Sequence, residues 1–115
     1  MTADRPGAAY PGLMTEVQIV HDVDRDRFEA VEGEGEQVRV VGYLSYELTG
    51  GVLDLQHTVV DPARRGHGLG GRLVEAGLQH ARAEGLQVRP SCPFVPRYLA
   101  DHPEHQDLVG GGDRG

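Results

Sequence analysis

Residues 1 to about 14 show no period, apolar and polar residues alternate in short runs between Val17 and Val60, and from residue 69 apolar residues recur at helical spacing. Val17 to His21 is a short strand candidate with Val17, Ile19 and His21 on one face, and Arg27 to Val31 is a second, weaker one. Gly33-Glu34-Gly35-Glu36 reads as a polar turn. Val38 to Leu48 predicts a longer strand, in which Val38, Val40, Gly42, Leu44, Tyr46 and Leu48 share one parity. Thr49-Gly50-Gly51 makes a tight hairpin connection to Val52–Val60, where Leu53, Leu55, His57 and Val59 alternate until Asp61-Pro62 ends the ladder.

Leu69, Leu73, Val74, Leu78 and Ala81 predict a helix from Gly68 to Glu84, stopped by Gly85. Leu86 to Ser91 follows as a strand, parallel to Val52–Val60 because a helix separates the two. Pro93 to Ala100 reads as a short second helix. The fold class is α/β: a mixed sheet with antiparallel strands first, then a strand–glycine loop–helix unit, then a short C-terminal helix. One domain is expected over residues 15–109, with a flexible lead-in at 1–14 and a disordered tail at 110–115.

The 115 residues suffice for one core, and no run of about 18 apolar residues offers a transmembrane helix. Met1 to Tyr10 lacks the apolar segment of a secretory signal, and the lone cysteine, Cys92, forms no intrachain disulfide. Both features point to a reducing compartment and a cytoplasmic location. The net charge of −7 argues against nucleic acid as a partner. Eight of the 18 acidic residues lie between Glu16 and Glu36, either a solvated face or a surface that attracts a basic partner. The chain has no lysine, which excludes a Schiff-base lysine and a Walker-type phosphate-binding lysine.

Arg64-Arg65-Gly66-His67-Gly68-Leu69-Gly70-Gly71 lies between the strand and the helix. A helix start presents unpaired N–H groups and partial positive charge, and a turn without side chains lets an anion approach them. The segment also fits the dinucleotide pattern G-x-G-x-x-G, but the next strand ends Val88-Arg89-Pro90, without the acid that would hold a ribose hydroxyl.

Read from Arg65, the same residues give Arg-x-x-Gly-x-Gly, which resembles the pyrophosphate loop of the GCN5-related N-acetyltransferases, usually Gln/Arg-x-x-Gly-x-Gly/Ala. Asp54-Leu55-Gln56-His57-Thr58, Cys92-Pro93-Phe94, Tyr98 and His102-Pro103-Glu104 extend the likeness to the small single-domain acetyltransferases of the YjdJ type, over roughly Gly42 to Val109. The resemblance implies a compact form of that fold, acetyl-CoA as co-substrate, no metal, and an amine acceptor. It implies that Gly66, His67, Gly68, Leu69, Gly70 and Gly71 hold the pyrophosphate, with Arg64 or Arg65 adding a charge-assisted contact. It also implies that the edge His57, Thr58, Val59, Val60 carries the pantetheine arm, beside a splayed strand at Leu86–Ser91.

Three side chains are candidates for the chemistry. Cys92 sits at the C-terminal end of the last strand and before a helix, where it would be an acyl-accepting nucleophile, a polar contact, or a small buried residue. His57 would accept the amine proton, or is a hydrogen-bonded core histidine. Related sequences often carry a glutamate two positions after this histidine, and Val59 stands there instead. Tyr98 would protonate the leaving thiolate, as a tyrosine does in larger relatives, or packs with its hydroxyl at the core rim. His67 faces phosphate or solvent, His80 is scaffold, and the spacing of His102 and His105 is not that of a metal site. An open site in so short a chain suits a basic protein or peptide amine. The alternatives are a coenzyme A-binding module without efficient transfer and a nucleotide-binding interaction protein.

Overall fold

The computed structural model describes residues Val17 to Gly110. The expected lead-in at 1–14 and the tail residues 111–115 lie outside them. The chain runs β1 (Val17–Asp22), β2 (Arg27–Glu32), β3 (Arg39–Thr49), β4 (Val52–Val60), α1 (Leu69–Glu84), β5 (Gln87–Pro90), α2 (Phe94–Asp101) and α3 (Gln106–Gly110). The five strands form one sheet in sequence order. The first three pairings are antiparallel and β4–β5 is parallel. The mixed α/β arrangement is the one the apolar periodicity predicts. α3 has no counterpart in that reading.

α1 lies on one face of the sheet. Its Leu69, Leu73, Val74, Gly77, Leu78 and Ala81 are buried. At Gly77 a Cβ would stand 3.3 Å from Leu44 Cδ2 and 3.5 Å from Leu55 Cδ2, so the missing side chain lets the helix settle on the strands. Val95, Leu99 and Leu108 bring α2 and α3 into the same core. On the other face Val20 and Val59 remain 42% and 43% exposed.

Two bulges break the parity that unbroken alternation assumes. The first, between Ala30 and Val31 of β2, makes Val41 an extra residue on β3. Val41 is therefore buried at 2% while Val40 is 43% exposed, and the expected stripe survives only from Gly42 through Leu44 to Tyr46. The second lies opposite Ser45 and Tyr46, which pair with His57 and Leu55 and leave Gln56 unpaired. Beyond it Thr58 stands opposite buried Leu44, on the helix side, and His57 and Val59 turn to the exposed face.

Candidate coenzyme site

Strand pairing between β4 and β5 covers only Val52–Leu55 and Gln87–Pro90. Pro90 has no N–H to continue the ladder. The chain then turns, and Cys92 N–H donates to Leu55 O at 2.9 Å. Past this link β4 runs on to Val60 with its β5-side edge unpaired by β5. The separation expected between these strands is thus present, and its cause is a four-residue pairing that ends in proline.

At the end of that edge a cavity of about 420 Å³ is lined by Thr58, Val59, Val60, Arg64, Arg65, Gly66, Gly68, Leu69, Gly70, Gly71 and Phe94. Ten of the twelve residues expected to bind coenzyme are among them. Asp61 fixes the turn into the loop: its side chain accepts from Ala63 N–H at 3.0 Å and its carbonyl from Arg64 N–H at 2.7 Å. Gly66 and Gly68 follow with φ of 86° and 78°, a left-handed backbone that favours glycine. The first backbone bond of α1 runs from Arg72 N–H to Gly68 O at 3.1 Å, and no side chain caps the helix start. The amides of Leu69, Gly70 and Gly71 therefore stand ahead of the helical ladder, on the cavity wall. This arrangement fits a pyrophosphate group: uncapped donors, a helix dipole and no obstructing side chain at the turn.

The two exceptions are His67, which is exposed and outside the cavity lining, and His57. The Gln56 bulge places His57 on the exposed sheet face, so it neither shares a face with Leu53 and Leu55 nor lines the cavity. Arg64 is also changed in meaning. Its Nε donates to Glu32 Oε1 at 2.8 Å, and its Nη2 donates to Glu32 Oε2. This pairing holds the Glu32 carboxyl below its ordinary range and raises the Arg64 guanidinium. Phe94, the first residue of α2, is the cavity residue that sequence reasoning did not assign. Its ring tip lies 3.2 Å from where a Gly70 Cβ would be, and the residue is 36% exposed. Its signal in the sequence was its place in the Cys92-Pro93-Phe94 motif, without an assigned role.

Cys92 is buried, with Sγ 3.2 Å from Thr58 Oγ1. Thr58 belongs to the cavity wall, so the thiol sits one side chain behind it. Tyr98 is directed elsewhere. Its hydroxyl donates to Glu75 Oε1 at 2.5 Å, and its ring stacks on His102 at 3.9 Å between centroids. Burial, then the Glu75 carboxylate, push the phenol well above its usual range, which makes it a weaker acid. Tyr98 lines a second cavity with Ile19, Gly68, Gly71, Arg72, Glu75 and Ala76. In this structure the Tyr98 hydroxyl is engaged by Glu75, at a cavity that shares Gly68 and Gly71 with the first.

Glu75 also accepts from Gln79 at 2.8 Å and lies 3.1 Å from His105 Nε2. Burial raises its carboxyl, but the hydrogen bonds from Tyr98, Gln79 and His105 outweigh burial and hold it below the usual value. His105 is thus a buried partner of α1. Between β1, β2, β3 and α1, His21 stacks on Phe28, bonds the Tyr46 hydroxyl at 2.6 Å, and meets His80 edge-on at 4.6 Å.

The GCN5-related N-acetyl-transferase family model matches residues 27–108. Protein NATD1 of Bos taurus is 34% identical over 110 residues, covering 92% of this chain and 95% of the relative. Protein NATD1 of Homo sapiens is 34% identical over 93 residues, covering 80% of each. A GCN5-like N-acetyltransferase candidate from Staphylococcus aureus, solved by NMR, superimposes with a TM-score of 0.62 at 25% identity, over 84% of this chain and 90% of that one. With a strand edge left open by its neighbour, a side-chain-free loop leading into uncapped helix amides, and a family match from β2 through α2 into the start of α3, this chain belongs to the GCN5-related N-acetyltransferases.

Proposed function

We propose that the protein is an acetyl-CoA-dependent N-acetyltransferase whose acceptor is an amine on a basic protein or peptide. The uncapped amides of Leu69, Gly70 and Gly71 beside Gly66 and Gly68 carry the coenzyme reading. They would hold the pyrophosphate, with Arg65 as the cation free to meet it. The unpaired edge of β4 beyond Leu55 offers backbone donors and acceptors to the amide groups of pantetheine, and Phe94 gives the apolar wall. When bound, acetyl-CoA supplies a thioester from which an amine takes the acetyl group.

The chain's own contribution to the chemistry lies on both sides of β4. Thr58 and Cys92 stand on the helix side, within hydrogen-bond reach of each other. His57 stands on the exposed side, outside the cavity lining, so its imidazole would take the proton of an amine at the thioester through water rather than directly. A face without a deep enclosure, on a chain of net charge −7, suits a cationic acceptor displayed on a larger molecule.

The second reading is a coenzyme-binding module with little transfer, and the commitment of the Tyr98 hydroxyl to Glu75 favours it. One experiment separates the two. Coenzyme A binding is measured by calorimetry and acetyl transfer is followed across basic peptides and small polyamines, for wild type and Arg65→Glu. The transferase reading expects binding, peptide acetylation, and loss of both in the variant. Binding without transfer to any amine would establish the module. No binding by the wild type would overturn both.

A further inference from the structure

Arg64 and Arg65 are neighbours on the cavity wall, but their surroundings differ. The Arg64 side chain is held by Glu32 through two parallel bonds, and its backbone N–H is held by Asp61. Glu32 is the last residue of β2 and is 7% exposed, so its carboxylate has little water to replace a lost partner. Asp61 is itself met by Arg39, the cross-strand neighbour of Glu32, at 3.5 Å. Two acids and two arginines thus brace the turn where β4 becomes the loop. Arg65 is exposed and makes no ion pair among the described residues.

We infer that Glu32 is a positioning residue that divides the labour of the two arginines: it neutralises Arg64 and keeps it as a strut of the loop, and so leaves Arg65 as the phosphate-facing cation. The assignment rests on the coenzyme reading above. An anion that recruited Arg64 would have to strip it from a buried carboxylate, whereas Arg65 is available without any such exchange. Glu32 consequently also subtracts one unit of positive charge from the wall of an anion site. It lowers coenzyme affinity while it holds the loop in shape, and these two effects have opposite signs on binding and stability.

That opposition is the test. Coenzyme A affinity by calorimetry and thermal midpoint are measured for wild type, Glu32→Gln, Glu32→Gln/Arg64→Gln and Arg65→Gln. Glu32→Gln should lower the midpoint and yet tighten coenzyme binding roughly threefold, because Arg64 is left uncompensated beside the phosphates. Adding Arg64→Gln should return affinity to within about twofold of wild type, since the pair is neutral with or without its charges. Arg65→Gln should weaken binding roughly fivefold, the effect of one charge-assisted contact at a partly exposed site. A Glu32→Gln variant that binds more weakly than wild type, in step with its stability loss, would overturn the assignment and leave a merely structural residue. So would a double variant much weaker than wild type, because Arg64 would then contact phosphate itself. Absence of wild-type binding overturns the coenzyme reading and the assignment together, and is recognised by being common to all four proteins.

Discussion

Two glycines of the loop, two positions apart, should respond to alanine with opposite sign. Gly68 has φ 78° and ψ 13°, and no atom lies within 4 Å of a Cβ built there, so the whole cost of Gly68→Ala is backbone strain. A side chain in the left-handed region costs about 1 kcal/mol or somewhat more. Gly70 has helical backbone, where alanine is favoured over glycine by about 0.5–1 kcal/mol. Its Cβ would meet Phe94 Cζ at 3.2 Å and Cε2 at 3.3 Å, the free end of a ring that is 36% exposed and able to pivot. The ring's displacement removes part of the gain, leaving about 0.5 kcal/mol of stabilisation. The difference between the variants is then about 1.5 kcal/mol, or roughly 6–12 °C in thermal midpoint for a domain of this size. Circular dichroism melts of the two variants and wild type measure it directly. Gly70→Ala should also retain coenzyme binding, since the family's loop pattern takes alanine at that position. A Gly68→Ala midpoint at or above wild type would refute the left-handed turn. A Gly70→Ala midpoint clearly below wild type would show that Phe94 is fixed rather than free to pivot.

The remaining predictions concern the strand edge and the buried polar contacts. Gly42→Ala places a Cβ 2.9 Å from the Val59 carbonyl oxygen, a backbone atom that can yield only if β4 moves; a loss of about 1–3 kcal/mol is expected in denaturant unfolding, together with weaker coenzyme binding. Tyr98→Phe removes the hydroxyl from Glu75; stability should fall by about 1 kcal/mol by thermal melt, with the partly exposed carboxylate keeping the loss modest, while the transfer rate stays within about twofold. The His21 imidazole is depressed by burial first and by His80 second, against the opposing pull of Asp22 and Asp26. Unfolding lets it regain a proton, so its contribution is complete above the ordinary histidine range near 6.5 and is lost as pH falls below it. The midpoint should therefore drop as pH falls below about 6.5, and a His80→Gln variant, which removes part of the depression, should make that drop smaller.

What the sequence reveals here is what is local. The strand, glycine turn and helix from Val52 to Gly85 depend on contiguous residues, and both the cavity and its composition follow from them. His57 was misplaced because parity assumes one residue per rung. Gln56 has no partner on β3, and nothing in its side chain announces that. The pairing of Arg64 with Glu32 joins residues 32 positions apart, so either arginine looked equally available to an anion. His21 and His80 each stand alone in the sequence and meet only because α1 lies across β1 and β2. α3 is too short for its periodicity to register. Its place is set instead by Leu108 in the core and by the Arg82–Asp107 and His105–Glu75 contacts with α1.

The brevity of the β4–β5 pairing has a consequence for motion. Four antiparallel-linked strands share long ladders, but from Gln87 onward the chain pairs with the sheet over only four residues, one of them a proline, followed by the contacts of Ser91 and Cys92 with Asp54 and Leu55. Native-state hydrogen exchange should accordingly divide the molecule into two cooperative units, with β5, α2 and α3 opening at lower free energy than the meander and α1. A ligand spanning the β4 edge and Phe94 touches both units at once. Its occupancy would be written in the exchange rates of Val88, Val95 and Leu99, amides of the C-terminal unit outside the cavity lining, and slowing there would report closure of the later unit onto the earlier one.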